Sequence, residues 1–496
     1  MLKFYTNVAH WGGRVRVRGW NNGRRFQESI PYKPYLFTRS RNLESTTSYR
    51  TLRGQPVEKV DFDSIYDAKE FVERYDEVHN FEVYGSTNWP YVYLYDEYRD
   101  VPYDPKQISV VNVDIEVGAD EFPDPWKADW PITAITIEKN KKVYSLGLMP
   151  YEPSLPNVTY ILCKNENDLL DKFIQIWLNF DPDVVTGWNI DYFDIPYIVN
   201  RVKKLLGDDS VLLLSPWKKI KESTVFYHGS NKTLYELVGI TSLDYLPLYK
   251  KFSFSNEESY RLDNIAFVVI GEKKLDYSEY ESLNDLYKND FKKYMDYNIH
   301  DVMLVSRIND KLGFIEQVFA IAYDSLVNFA DTFTSVKIWE IIMHNYLLGQ
   351  GIVSPPKKHS MKEKQIAGGY VKEPITGRHE WVASFDLNSL YPHLIMQYNI
   401  SPETFVDVLD ELPSDETSPD RIINGFMNDE RQAQLREANL ALTAGGALYS
   451  REKQGFVPVL MEQMYNDRSK FKSMMIEEKQ NLEAIEAEMK KRGILT

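Results

Sequence analysis

Apolar and polar positions divide the chain near residue 106. Before it, short stretches alternate every second residue, the spacing of half-buried strands. RVRVRGW (Arg14–Trp20) alternates, Asn21-Asn22-Gly23 supplies turn chemistry, and RRFQESI returns as a partner strand. PYKPYLF follows, its prolines suiting an edge or extended segment. IYDAKEFVERYD (65–76) has helical spacing. This predicts a small mixed-β domain over 1–105, without a catalytic constellation.

Beyond it, VVNVDIEVG places Val111, Val113, Ile115 and Val117 on one face of a short strand and Asn112, Asp114 and Glu116 on the other. A Pro-, Asp- and Trp-rich loop, EFPDPWKADWP, leads to ITAITIEK and KVYSLGL, joined by Asn140 and Lys141. A helix over NENDLLDKFIQIWLNF, capped by Asn165 or Asn167, is followed by the strand DVVTGW and a helix over Phe193–Leu206. A meander, a crossover helix, a strand and a helix form the order expected of a ribonuclease-H-like α/β core. VFYHGSNKTLYEL, with Gly229 at its tip, reads as a β-hairpin over Val225–Leu237. Residues 312–350 are strongly helical, and VSPPKKHSMKEKQ reads as a basic, Pro-rich linker. VASFDL reads as a strand ending in a carboxylate, followed by a turn and a helix. Residues 405–456 run from acidic and irregular to helical to turn-rich. From Phe456 a long charged helix follows, with an apolar stripe at Met475, Leu482, Ile485 and Met489.

Composition narrows the class. The 496 residues suffice for roughly three domains. One cysteine, Cys163, excludes an internal disulfide framework and a cysteine metal cluster and fits a reducing compartment. The N-terminal MLKFYTNVAHWGG lacks an apolar signal-peptide core, and no apolar run reaches the roughly 20 residues of a membrane span, so the expected location is the cytoplasm. A net charge of −15 argues against a surface coated in basic charge. It leaves room for local clusters such as Lys250-Lys251 and Lys273-Lys274, each alone the mark of a solvated face.

The chemistry lies in the carboxylates. Two on one face of a core strand are costly to bury unless a cation or protons neutralise them; an edge strand with its polar face in water is the alternative for that strand alone. TGWNIDYFDIPYI adds Asp191 and Asp194, three apart at a helix start. KYMDYNIHDVMLV adds Tyr297 and Asp301, four apart on one helix face. Cleaving a phosphodiester with two Mg²⁺ needs carboxylates that converge from several elements to hold ions roughly 3.5–4 Å apart. A Tyr hydroxyl one turn from Asp301 can position the attacking water.

VNVDIEV, GWNIDYFDIPY and YNIHD resemble the three exonuclease motifs of family B DNA polymerases, of the T-even-type bacteriophage kind. The resemblance implies that Asp114, Glu116, Asp194 and Asp301 are metal ligands of a 3′→5′ exonuclease and that Tyr297 orients water. Asp191 falls between motif positions and is read as helix-surface charge. LDYLPLYKKFSFSNEESYRLDNIA is similar to the segment between the second and third motifs. In the family, a hairpin such as 225–237 helps move the primer end between two active sites. IAGGYVKEP resembles the junction that touches the template, which implicates Gly368, Gly369 and Tyr370, although Ile366 stands where many relatives have Tyr. FDLNSLYPHL resembles polymerase motif A. Asp386 and the Leu387 carbonyl would bind metal, the Ser389 and Leu390 N–H groups would hold the triphosphate, and Tyr391 would select a deoxyribose. Arg468 and Lys472, four apart, match cations that hold the incoming dNTP.

The organisation implied is an N-terminal domain (1–105), an exonuclease domain (106–311), a returning part of the first domain with a linker (312–357), a partial palm (358–455) and one fingers helix (456–496). The Asp-Thr-Asp motif, the second fingers helix and the thumb are missing from the sequence, and a sliding-clamp contact would lie with them. The expectation is therefore half of a polymerase with a complete exonuclease. It acts on primer-template and single-stranded DNA 3′ ends, and a complementary C-terminal chain supplies the rest. A truncated sequence, a stand-alone exonuclease with a vestigial polymerase tail and a non-catalytic nucleic-acid-binding module are the alternatives.

Overall fold

The structure, a computed structural model, describes residues 2–40, 48–76, 78, 81–227, 229–355, 371–408, 429–443 and 445–493. It divides into two compact units, Met1–Leu36 with Val60–Val78 and Ser86–Asn345, and Phe37–Lys59 with His79–Gly85 and Tyr346–Thr496.

The first unit is built on a six-stranded sheet. Its strands are β1 (Val110–Val117), β2 (Ile132–Lys139), β3 (Lys142–Gly147), β4 (Val158–Leu162), β5 (Val184–Gly187) and, after a hairpin of β6 (Ile220–Tyr227) and β7 (Ser230–Leu237), β8 (Thr241–Asp244). The order across the sheet is β4-β3-β2-β1-β5-β8. β1, β2 and β3 form the expected antiparallel meander. Asn140 and Lys141 both adopt left-handed backbone, φ 51° and 65°, as a tight hairpin turn of matching twist requires. β5 runs parallel to β1, and β8 parallel to β5. Sequence reading omitted β4, parallel to β3, because VTYIL is short and lies beside a loop.

Alternation along β1 sets the two faces of the sheet. Val111, Val113 and Ile115 are buried against Leu169, Leu170, Phe173 and Trp177 of α1 (Glu166–Phe180) and Ile195 and Ile198 of α2 (Asp194–Leu206). Asn165 caps α1 by accepting from the Asp168 N–H at 3.0 Å. The opposite face lies under α3 (Phe291–Leu312), where Asn112 donates to the Val302 carbonyl at 2.7 Å. Gly187 lets β5 approach β1 closely, since a Cβ there would stand 2.5 Å from the Val113 carbonyl oxygen.

A three-stranded sheet (Lys3–Trp11, Arg14–Asn21, Arg24–Pro31) joins this unit through buried ions. Arg18 is fully buried, donates to the Pro182 and Gly239 carbonyls at 2.8 and 3.1 Å, and pairs with Asp181. Asp183 accepts from Thr6, Trp20, Arg25 and the Ser109 N–H. The helical stretch after α3 returns to the first strand: Tyr5 donates to the Val327 carbonyl at 2.9 Å, and Asn328 bonds both backbone groups of Val8.

A five-stranded sheet, in the order Ile352–Val353, Tyr49–Thr51, Pro56–Asp61, Tyr35–Arg39, Val83–Tyr84, has most of its residues in the second unit, which also holds a small antiparallel sheet over 405–408, 440–442 and 447–450. In it α4 (Leu390–Tyr398) packs on α5 (Phe456–Lys491). The strand expected at VASFDL is absent: 371–388 contain no helix or strand, with Phe385 and Val382 exposed. A strand needs a neighbour to satisfy its backbone, and among the described residues none lies beside it. The stripe on α5 is likewise exposed at Met475, Leu482 and Ile485. Among the described residues, no helix is long and apolar enough to cross a membrane.

Candidate active site

Three elements bring the carboxylates together. β1 carries Asp114 and Glu116 on its polar face, α3 lays Asp301 across that face, and α2 begins at Asp194. Oxygens of Asp114, Glu116 and Asp301 lie within 4.8 Å of one another. Asp194 is buried beside them, accepting from the Ile115 N–H at 3.0 Å, so it is tied to the strand between the two motif carboxylates.

Crowding and burial raise every carboxyl in the group. Burial, then Asp194, Glu116 and Asp301, holds Asp114 well above the usual carboxylate range. Burial, followed by Asp301, pushes Glu116 up to about 8, and burial brings Asp194 to about 7. Asp301 is raised by burial although Lys274 opposes the shift.

The group suits a hard cation. Asp301 Oδ1 is buried with no hydrogen-bond partner among the described residues, and every donor is a carboxylate oxygen, the ligand type of Mg²⁺.

Neighbours hold this set in place. Asn298 donates to Asp114 Oδ2 at 2.6 Å. Lys274 pairs with Asp301 and donates to the Tyr297 hydroxyl at 3.2 Å, its ammonium 5.1 Å from the Tyr297 ring centroid. Burial pulls Lys274 down, but Asp301 and Tyr297 override it and leave the ammonium above its ordinary value. Tyr297 stands edge-on to Tyr277, at 5.3 Å between centroids, and burial followed by Asp301 raises its hydroxyl.

Asp191 is not helix-surface charge. It precedes α2, is half-buried, and accepts from Ser242 Oγ at 2.5 Å. Asp244, buried at the end of β8, accepts from the N–H groups of Asn189, Asp191 and Leu246 at 2.8, 3.2 and 3.0 Å. These bonds fix the turn that delivers Asp194. Sequence reasoning missed Lys274, Asn298 and Asp244. Asn298 alone left a signal, three residues before Asp301 and therefore on its helix face. The Lys273-Lys274 doublet gave none.

The second unit places the other candidates around α4 and α5. Arg468 donates to Ser389 Oγ at 3.0 Å, and His393 stacks edge-on to Tyr465 at 4.7 Å between centroids. Ser389, with φ 53°, ends the irregular stretch, and Leu390 opens α4. Asp386, Leu387, Tyr391 and Lys472 are exposed. Lys472 lies one turn beyond Arg468 on α5. Among the described residues, the only group of three or more metal-type side chains is the one containing Asp114, so Asp386 belongs to no such group. Gly368, Gly369 and Tyr370 lie outside the described residues.

Comparison with known proteins assigns the class. A model of the exonuclease domain of DNA polymerase family B matches residues 64–265, and the DNA polymerase family B model matches 329–491. The chain belongs to DNA polymerase family B. Among curated relatives, the DNA-directed DNA polymerase of Escherichia phage RB69 is 32% identical, over 98% of this chain and 55% of the relative. That of Enterobacteria phage T4 is 31% identical over the same shares. The DNA polymerase delta catalytic subunit of Plasmodium falciparum (isolate K1 / Thailand) is 26% identical over 66% of this chain and 30% of the relative. The chain thus spans about half the length of the phage relatives. Tyr297 and Asp301 lie beyond the stretch that the exonuclease-domain model matches.

Proposed function

We propose that this chain is a 3′→5′ exodeoxyribonuclease joined to part of a DNA-directed DNA polymerase site. The convergence of Asp114, Glu116 and Asp301 within 4.8 Å, with Asp194 beside them, carries the reading. The substrate is the 3′ end of a DNA strand. Water attacks the terminal phosphorus, the bond from phosphorus to the 3′ oxygen breaks, and a nucleoside 5′-monophosphate leaves. Two Mg²⁺ ions held by Asp114, Glu116, Asp194 and Asp301 would supply activation of water and stabilisation of the leaving oxygen. Tyr297 orients the water, and Lys274 holds the Tyr297 hydroxyl and Asp301 in register. Asn298 fixes the rotamer of Asp114.

The division into 1–105, 106–311, 312–357, 358–455 and 456–496 goes with this reading, the second segment being the ribonuclease-H-like exonuclease. For the polymerase part, Asp386 and the Leu387 carbonyl are half of a metal site. Ser389, Leu390, Arg468 and Lys472 receive the dNTP triphosphate, Tyr391 faces its sugar, and Gly368, Gly369 and Tyr370 touch template. Completion of that site needs carboxylates from a complementary C-terminal segment.

A titration with Mn²⁺, read by electron paramagnetic resonance, tests the nuclease site. The unaltered chain should bind ions that Asp301→Asn releases. Binding unchanged by that substitution would place the metal elsewhere.

The carboxyl groups also fix a pH dependence. Their folded values lie above the ordinary carboxylate range, so the folded chain holds more protons than the unfolded one. The metal-free protein should therefore lose stability as pH rises from about 4 to about 8. Cations bind the deprotonated set and release protons, so the rise in Tm on adding Mg²⁺ should be larger at pH 8 than at pH 6. Calorimetric melting at the two pH values checks both signs.

A further inference from the structure

The polar face of β1 carries a third side chain, Asn112, two residues before Asp114, and there the face opens into a cavity of about 220 Å³. That is far more than a single water needs. Asn112 and Glu138, directly opposite each other in the β1–β2 ladder, are buried where they line it. Lys106, Lys141, Asp310 and Glu316 line it where it meets solvent. Between these ends lie the buried apolar side chains of Ile108, Val305, Ile315 and Phe319. The cavity is separate from the carboxylate group: Ser306, on its wall, stands five residues, about 7.5 Å of helix rise, beyond Asp301 on α3.

The buried end is rich in acceptors, and its donors are engaged. Ser306 Oγ donates to Glu138, and Thr186 Oγ1 donates to the Leu243 carbonyl at 2.7 Å. Asn112 Nδ2 donates to the Val302 carbonyl at 2.7 Å, which fixes the orientation of the amide. Asn112 Oδ1 is then buried with no hydrogen-bond partner among the described residues. A buried carboxylate beside a buried, unsatisfied amide oxygen favours a ligand that brings both charge and donors. Burial raises the Glu138 carboxyl, with Ser306 and Lys141 opposing, so its charge gains from a cation placed beside it. At the exposed end Asp310 lies one turn beyond Ser306, about 6 Å along α3, and pairs with the Lys141 ammonium at 2.5 Å. Glu316, on the next helix (Phe314–Ser325), accepts from Asn309 Nδ2 at 3.1 Å. Carboxylates thus stand at both ends of an apolar passage.

We propose that this cavity binds a short aliphatic diamine. One ammonium donates to Glu138 and to Asn112 Oδ1, the methylenes lie against Val305 and Phe319, and the second ammonium reaches Asp310 and Glu316. The pairing of Lys141 with Asp310 is the same contact, made by the chain's own ammonium. A hard metal ion suits the passage less well, because its apolar walls supply no oxygen ligands. An anion drawn in by Lys106 and Lys141 would meet the Glu138 carboxylate at the buried end. An apolar body with a cation at each end matches both the carboxylates and the walls between them. The proposal is independent of the exonuclease reading, since none of its residues belongs to the Asp114 group.

The test is isothermal titration calorimetry of the full chain with putrescine. Excess Mg²⁺ keeps the diamine from the Asp114 group, and physiological salt screens exposed acidic side chains. The expected result is one saturable site per chain. Glu138→Gln, which keeps the shape of the side chain and removes its charge, should weaken putrescine about tenfold or more, the worth of a charge-assisted hydrogen bond. The double variant Asp310→Asn/Glu316→Gln should weaken putrescine about tenfold and leave n-butylamine, which has one ammonium, within about twofold. Heat that does not saturate, an affinity that Glu138→Gln leaves unchanged, or an equal effect of the double variant on both amines would overturn the proposal. Asp310 and Glu316 are exposed, so if Glu138→Gln does not fold, the double variant with the two amines decides alone.

Discussion

An Asp114→Ala chain is expected to excise 3′ nucleotides about a thousandfold more slowly than the unaltered chain, and in the absence of metal to melt at a higher temperature. Both effects have the same origin. Asp114 stands among Glu116, Asp194 and Asp301, and burial and these neighbours penalise its charge. With metal bound, that charge would hold the cation. Without metal it is repulsion that the fold tolerates, so deletion removes activity and relieves strain together. Thermal melting in EDTA from pH 6 to pH 8 should show the gain growing with pH, because the repulsion grows as the neighbours ionise. A rise in stability without loss of excision would make the cluster structural, and a loss of excision with an equal fall in stability would point to misfolding.

The second large effect concerns synthesis. The chain alone is expected to extend no primer, because Asp386 is exposed and belongs to no group of three metal-type side chains among the described residues. Adding a segment equivalent to the part of the phage polymerases that this chain does not span should restore extension. In that mixture Asp386→Ala should abolish extension, a loss of about a thousandfold, and leave excision from an unpaired end unchanged. Arg468→Ala should raise the KM for dNTP about tenfold, the worth of a charge-assisted hydrogen bond to phosphate. Extension by the chain alone would show that the polymerase site closes within these residues.

Much of this was legible in sequence because local rules and tertiary demands agree there. The alternation of Val111, Val113, Ile115 and Val117 predicts a strand with Asp114 and Glu116 on its other face, and helical spacing predicts that Tyr297 and Asp301 share one face of α3. The failures fall where tertiary contacts override local pattern. Arg18 belongs by alternation to the polar positions of its strand, yet it is fully buried because the Asp181 carboxylate and the carbonyls of Asp181, Pro182 and Gly239 receive it from the loops before β5 and β8. Asp191 has helical spacing to Asp194, but the turn before α2 belongs to Asp244, which captures its N–H. Lys274 looks like half of a solvated doublet until Asp301, 27 residues further on, comes to meet it. VASFDL has the composition of a strand and lacks a neighbour to pair with.

The most direct measurement is the digestion of a 5′-labelled single-stranded oligonucleotide by the purified 496-residue chain in Mg²⁺, with products resolved by length. A ladder shortening stepwise from the 3′ end, absent in EDTA and absent with Asp114→Ala, is the predicted result. An intact oligonucleotide, or a ladder that Asp114→Ala leaves unchanged, would contradict the assignment of Asp114, Glu116, Asp194 and Asp301 as the excision site.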